Sequence, residues 1–150
     1  MSFIVPNVGE VQALKDLLGA GGAAGVITLE AWTLKLFKSD TTLAETNVAG
    51  DFTAADFTGY TDKPLVRDTL SGHWTTPASG APTSSWSSEA SVAESTYADQ
   101  TWTALSAQTI YGYIIVGATS GALIHAVKFP AAISLTVTAT LTVTPRIGMG

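Results

Sequence analysis

The sequence predicts a mainly β fold, an antiparallel β-sandwich or barrel-like single domain with one short amphipathic helix at its N-terminus. Three observations carry this. From Ile133 to Ile147, apolar residues (Ile133, Leu135, Val137, Ala139, Leu141, Val143, Ile147) hold the odd positions, and serine, threonine and Arg146 alternate with them. A period of two gives one buried and one solvated strand face, which a helix cannot reproduce. Upstream, the apolar runs Ile110–Val116 and Leu123–Phe129 flank Gly117-Ala-Thr-Ser-Gly121, the signature of a hairpin. Helical spacing is confined to the first 25 residues.

There, Asn7 and Glu10 have the spacing of a capping box, and Val8, Val11, Leu14, Leu17 and Leu18 repeat as one helix face. Gly19–Gly25 is glycine and alanine alone, a hinge. Residues 1–25 therefore read as a helix with its hinge, and residues 26–150 as the β-sandwich domain.

Leu29–Lys38 follows as a strand, with Trp32, Leu34 and Leu36 on one face and Ala31, Thr33, Lys35 and Phe37 on the other. After a polar loop to Gly50, Asp51–Phe57 has the makings of a helical turn capped by Asp51. Gly59 and Tyr60 open an extended segment through Leu65, Val66 and Leu70. Gly72–Ser88, rich in Pro, Ser, Thr and Gly, is the longest irregular loop, the kind that serves function or motion. Ser91–Leu105 supplies one or two strands around Tyr97 and Trp102. Fifteen residues is long for one strand, so a bend or hairpin near Thr138 is expected within the last run.

Composition narrows function. The chain has 150 residues, no cysteine and a formal charge of −5 from 7 basic and 12 acidic residues. Thiol catalysis, cysteine–zinc sites and disulfides are excluded. Lys15, Lys35, Lys38, Lys63, Arg67, Lys128 and Arg146 are scattered singly, without the clustering that binds nucleic acid by displacing counterions. No basic leader and no apolar run of about 20 residues is present, so neither secretion nor membrane insertion is expected. Only 13% of residues are charged, against about 25% in ordinary soluble domains. Interface cores are depleted of charge, so this composition suits a surface covered by neighbouring subunits.

The chemistry-bearing residues do not converge. His73 and His125 lack metal-ligand spacing; His125 reads as a packed or interface residue and His73 as solvent-exposed. Asp51 and Asp56 are explained by capping and solvation better than by glycosidase chemistry. The Gly-x-Ser-x-Gly elbow and phosphate-binding glycine loops are missing. The expectation is a non-enzyme with no catalytic residue, cofactor or metal. Trp32, Trp74, Trp86 and Trp102 suit core or interface anchors more than a sugar-stacking platform.

Leu34-Lys-Leu-Phe-Lys-Ser-Asp40, Asp51-Phe-Thr-Ala-Ala-Asp-Phe-Thr-Gly-Tyr60, Gln100-Thr-Trp102, Ile110-Tyr-Gly-Tyr113 and Leu141-Thr-Val-Thr-Pro-Arg-Ile147 occur in this order. Together they resemble a group of small virion structural proteins of tailed bacteriophages, over roughly residues 26–148. Where many such proteins carry a glycine–asparagine turn before the final strand, this chain has Thr136-Val-Thr-Ala139, which favours a long bent strand or an unusual turn.

The resemblance implies a virion component folded in the host bacterial cytoplasm, above all a capsid decoration or cement protein that binds and stabilises the major capsid protein shell. A neck, tail or baseplate component is the alternative, and a carbohydrate-binding module for host adsorption the second. Expected partners are the major capsid protein or another virion protein, and further copies of the chain in a homo-oligomer, a trimer favoured, with no nucleic acid and no membrane. The candidate contacts are Phe3, Val8, Val11, Leu14 and Leu18 in the N-terminal segment, and Trp74 and Trp86 in the long loop.

Overall fold

The structure is a computed structural model that describes residues 30–44, 46–81 and 92–149. The expected N-terminal helix and hinge lie outside them, as does Trp86. Nine strands follow in order: β1 Trp32–Phe37, β2 Lys63–Leu65, β3 Ala78–Gly80, β4 Val92–Thr96, β5 Gln100–Thr103, β6 Gln108–Gly117, β7 Leu123–Leu135, β8 Thr140–Val143 and β9 Arg146–Met149. Every strand pairing is antiparallel, in three open sheets ordered β2-β1-β6-β7, β3-β4-β9 and β5-β8. The mainly β, antiparallel class is as the sequence predicts; among the described residues the sheets do not close into a barrel.

The chain divides into two compact units. Among the described residues, one holds 30–44, 46–65 and 99–143, and the other 66–81, 92–98 and 144–149.

In the first unit β1 runs between β2 and β6 and sets the core. Leu34 stands opposite Ile115, and Leu36 opposite Tyr113, so these four share one face with Trp32. All five are buried. The opposite face is covered too. Phe37, Ile114 and Val116 pack with Phe52, and the Phe37 and Phe52 rings lie 5.0 Å apart in a tilted pair. This agrees with the continuous apolar run of β6, since a strand buried on both faces loses its alternation. Phe37, placed on the polar face by its sequence position, is thus fully buried.

Phe37 reaches its place because Gly112, opposite it on β6, has no side chain. A Cβ at residue 112 would lie 2.1 Å from the Val127 carbonyl oxygen and 2.6 Å from Phe37 Cζ.

The expected helical turn is displaced. A 3-10 turn spans Ala49–Asp51, ending where the sequence reading began it. Asp51 accepts hydrogen bonds from Val48 N–H (2.9 Å) and Asn47 Nδ2 (3.1 Å), so its carboxylate ties the turn from its C-terminal side. Residues beyond it are extended, with Ala54 bridged to Phe37. Phe52 and Phe57 join different packing groups, Phe57 meeting Tyr60 edge-on at 5.3 Å.

The Ile133–Ile147 run is divided among three strands. Ile133 and Leu135 end β7, β8 pairs with β5, and β9 pairs with β4. The interruption near Thr138 is present, but β7 and β8 do not pair, so it is a strand switching sheets rather than a hairpin. Thr138 itself takes φ 71°. It donates its N–H to the Ala104 carbonyl at 2.7 Å, which holds the turn against β5. Leu135, Leu141, Val143 and Ile147 stay buried across the change of partner, and Val137, at the turn, is exposed.

In the second unit β3, β4 and β9 form a small sheet beside an aromatic group. Ser91–Leu105, read as one or two strands, gives β4 and β5. Trp74 packs edge-on against Tyr97 at 5.2 Å, and His73 stacks on Tyr97 at 5.8 Å.

Candidate protein–protein interface

The charged side chains of the described residues are mostly engaged in pinning loops to strands. Asp56 binds Lys38 Nζ at 2.5 Å and Gln108 Nε2 at 2.5 Å. Hydrogen bonds from these two side chains, Lys38 first, hold its carboxyl below the usual aspartate value. Asp51 is held low by the Val48 N–H and by Asn47. The sequence reading gave these two residues capping and solvation; Asp51 closes the turn before it, and Asp56, though exposed, is tied to Lys38 and Gln108. Asp62 pairs with Lys35 at 3.1 Å and accepts from the Tyr60 hydroxyl at 2.8 Å. Burial, with Asp62 alongside, pushes the Tyr60 hydroxyl above the ordinary tyrosine range. Among the described residues no group of three or more His, Asp or Glu side chains is placed to hold a metal ion, and no helix is long and apolar enough to cross a membrane.

His73 differs from its sequence reading. It is not free in solvent: Nδ1 contacts the Asp68 carboxylate, and the ring is shielded by Tyr97. Desolvation raises the Asp68 carboxyl, but hydrogen bonds from His73 and the Leu70 N–H outweigh it and leave its pKa lowered.

Of the expected contact residues, Phe3, Val8, Val11, Leu14, Leu18 and Trp86 lie outside the described residues. Trp74 is 1% exposed, a buried position that offers no surface to a partner. Trp32 and Trp102 are buried as well. Trp102 donates its indole N–H to the Thr61 carbonyl at 2.7 Å, with Lys63 Nζ 5.4 Å above the ring. The burial of Trp32, Trp74 and Trp102 agrees with their reading as anchors, and for Trp74 it overturns the assignment as a partner contact.

The feature the sequence reading missed is β7. It is the edge strand of the four-stranded sheet and, at 13 residues, the longest strand described. An edge presents unpaired N–H and C=O groups to any extended chain, and proteins protect such edges with lysine, proline and bulges. β7 has all three between Lys128 and Ala132. Ile110 pairs with Ile133 and Gly112 with Lys128, so Tyr111 alone on β6 stands against Phe129, Pro130, Ala131 and Ala132. Pro130, which cannot donate to a ladder, is tolerated there because it sits in this bulge on an edge. Pro130, Ala131 and Ala132 are exposed, while Lys128 pairs with Asp40 at 2.5 Å. The signal was present in Phe129-Pro130, but it reads locally as the end of one strand rather than a bulge within it.

Before Lys128, β7 has neither lysine nor proline, and its one irregularity leaves Ile124 unpaired between the Val116–Leu123 and Ile115–His125 pairs. Leu123, Ile124, His125 and Ala126 border an open groove of about 490 Å³, closed on the other side by Leu43, Ala44 and Asn47. Among the described residues, none of the lining side chains carries a formal charge at neutral pH. Leu43 and Ile124 are 41% and 37% exposed, and nearby in sequence Val48 is 60% exposed. Asn47 is fixed in place by donating to Asp51 and accepting from the Ala44 N–H at 2.6 Å. His125 is half-buried, and desolvation lowers its pKa, so it is neutral at pH 7. A partly apolar groove beside a strand edge has the form of a site for a chain segment.

Comparison of the chain with protein-family models, with curated proteins and with solved structures finds no match.

Proposed function

We propose that the protein is a virion structural component of a tailed bacteriophage, a capsid decoration or cement protein that binds the major capsid protein shell. The observation that carries this is the surface along β7. A long edge strand with an exposed Pro130–Ala132 bulge and a partly apolar groove gives the chain a binding surface. The ordered sequence resemblance and the low charge content point the same way. Such a protein acts by mass action: a ligand that binds only the expanded shell stabilises it by its binding free energy, about 2.7 kcal/mol per site at a hundredfold excess over Kd. Many copies arranged by shell symmetry multiply that effect.

The sandwich arrangement belongs to the same proposal. Burial on both faces of β1 supports it, with Trp32, Leu34 and Leu36 on one side and Phe37 on the other.

A neck, tail or baseplate location requires the same kind of surface at lower copy number. The sugar-binding alternative loses support from the burial of Trp32, Trp74 and Trp102. The test is to add purified protein to expanded shells lacking it, from the phage that encodes it. Saturable co-sedimentation with a raised shell melting temperature is expected. Absence of binding to shells, with binding to isolated necks or tails, would move the protein to the alternative location.

A further inference from the structure

We propose that the peptide between Val137 and Thr138 is a two-position switch: the position described above, which strains Thr138, exchanges with a flipped one that relaxes it and releases the Ala104 carbonyl. The switch is independent of the virion reading, and its groups all belong to the first unit.

The turn type is the first support. Residues 136–139 form a β-turn closed by the Ala139 N–H on the Thr136 carbonyl at 3.0 Å. Among the described residues Thr138 is the one non-glycine residue with positive φ, at 71°, so Val137 before it lies on the negative side. That combination makes a type II turn, because type I′ needs positive φ at both central residues and type II′ at the first alone. Type II calls for glycine or asparagine where Thr138 stands, and a β-branched residue there is strained. The Thr138 side chain is exposed, so packing does not impose the position. What holds it is a single backbone bond, from the Thr138 N–H to the Ala104 carbonyl at 2.7 Å.

The second support is what a flip changes and what it spares. Types I and II differ by a half-rotation of the central peptide and share the same closing hydrogen bond. Rotation takes Thr138 to a φ of about −90°, which any residue adopts. It also turns the Thr138 N–H away from Ala104 and puts the Val137 carbonyl in its place. Relief of strain and loss of one backbone hydrogen bond are opposite in sign and of the same order, so the flipped position is within thermal reach. The bonds around the turn do not depend on the flip. The Ala104 N–H stays on the Ala139 carbonyl at 2.9 Å, and the Leu105 N–H on the Thr58 carbonyl at 2.8 Å. β5 and β8 therefore keep their pairing. The flipped position leaves the Val137 and Ala104 carbonyls facing each other, beside the exposed Leu105 and Val137 side chains. A ligand moves such an equilibrium only by its differential affinity, and two facing carbonyls favour a hydrogen-bond donor. A donor group, from water or from a partner, is the chemistry that sets the switch.

Amide hydrogen exchange of the full chain, read residue by residue by NMR and corrected for intrinsic rates, tests this. In the natural protein the Thr138 N–H is expected to exchange faster than those of Ala104 and Ala139, because the flip breaks its bond and neither of theirs. Thr138→Gly removes the strain that drives the flip, so exchange at residue 138 should slow about tenfold while the other two amides keep their rates. Thr138→Val keeps the β-branch and the strain, and should exchange as the natural chain does. Equal exchange at the three amides of the natural protein, or a slowing in Thr138→Gly shared by all three, means that the turn opens as a whole and overturns the proposal. An unchanged rate at residue 138 in Thr138→Gly, or a Thr138→Val protein that behaves as Thr138→Gly does, overturns it as well.

Discussion

Replacing Gly112 by alanine tests the packing that fixes the β6–β7 register and, with it, the β7 edge. The new methyl carbon would lie 2.1 Å from the Val127 carbonyl oxygen and 2.6 and 2.8 Å from Phe37 Cζ and Cε1. Ordinary van der Waals separation of carbon atoms is about 3.5–4.0 Å, so something must move by more than 1 Å. The Val127 carbonyl is backbone and cannot rotate away without disturbing the pairing next to the Phe129–Ala132 bulge. The Phe37 ring is fully buried against Phe52, Ile114 and Val116 and has no space to enter. Overpacking of this kind costs typically 1–3 kcal/mol, and the two rigid neighbours place Gly112→Ala at about 3 kcal/mol. For a chain of this length that lowers Tm by about 10 °C. Urea unfolding monitored by tryptophan fluorescence measures it, with Gly80→Ala as control, because a Cβ at Gly80 meets nothing within 4 Å. A Gly112→Ala stability within about 0.5 kcal/mol of the natural chain would refute the reasoning, since surface substitutions fall in that range.

Three further outcomes follow from the same structure. Thr138 is a β-branched residue at φ 71°, a conformation costing of order 1 kcal/mol or more, so Thr138→Gly is expected to raise stability by about 1 kcal/mol in urea unfolding. Trp102→Phe removes the 2.7 Å hydrogen bond to the Thr61 carbonyl and leaves that acceptor unpaired, costing about 2 kcal/mol by the same measurement. His125 has a folded-state pKa lowered by burial from its ordinary 6.5, so the unfolded chain takes up the proton more readily. Stability therefore falls as pH drops through about 6.5 toward the lower folded value, and His125→Asn should flatten that part of the profile measured between pH 5 and 7.5.

The fold class was legible because side-chain alternation survives changes of strand partner. Leu135, Leu141, Val143 and Ile147 all point inward, although they belong to three sheets, so the period-two pattern reported the buried face and not the neighbour. The break was harder to read. Left-handed backbone is usually announced by glycine or asparagine, and here a threonine adopts it. Phe37 was assigned to the polar face by counting alternate residues. What buries it is Phe52, fifteen residues away, which local periodicity cannot report. Asp51 was seen as a cap because its side chain suits one, but the partners of a carboxylate can lie before it as well as after, and Val48 and Asn47 lie before.

The candidate interface was less legible still. Its surface depends on β7 being an edge strand, which follows from sheet order, and sheet order has no local signature. Leu43 and Asn47 come from a loop about eighty residues before Ile124. Trp74 shows the converse: a loop rich in serine, threonine and proline suggested exposure, whereas packing against Tyr97 makes the residue a core anchor.

The central claim is that the protein coats a phage shell through the surface along β7. A reconstruction of the purified particle at side-chain resolution tests it most directly, since location, copy number and contacts come together. The account predicts hundreds of copies on the capsid exterior, with residues of the Leu123–Leu135 strand at contacts between subunits. Six or twelve copies at the neck or tail, or a β7 edge facing only solvent in every copy, would contradict it.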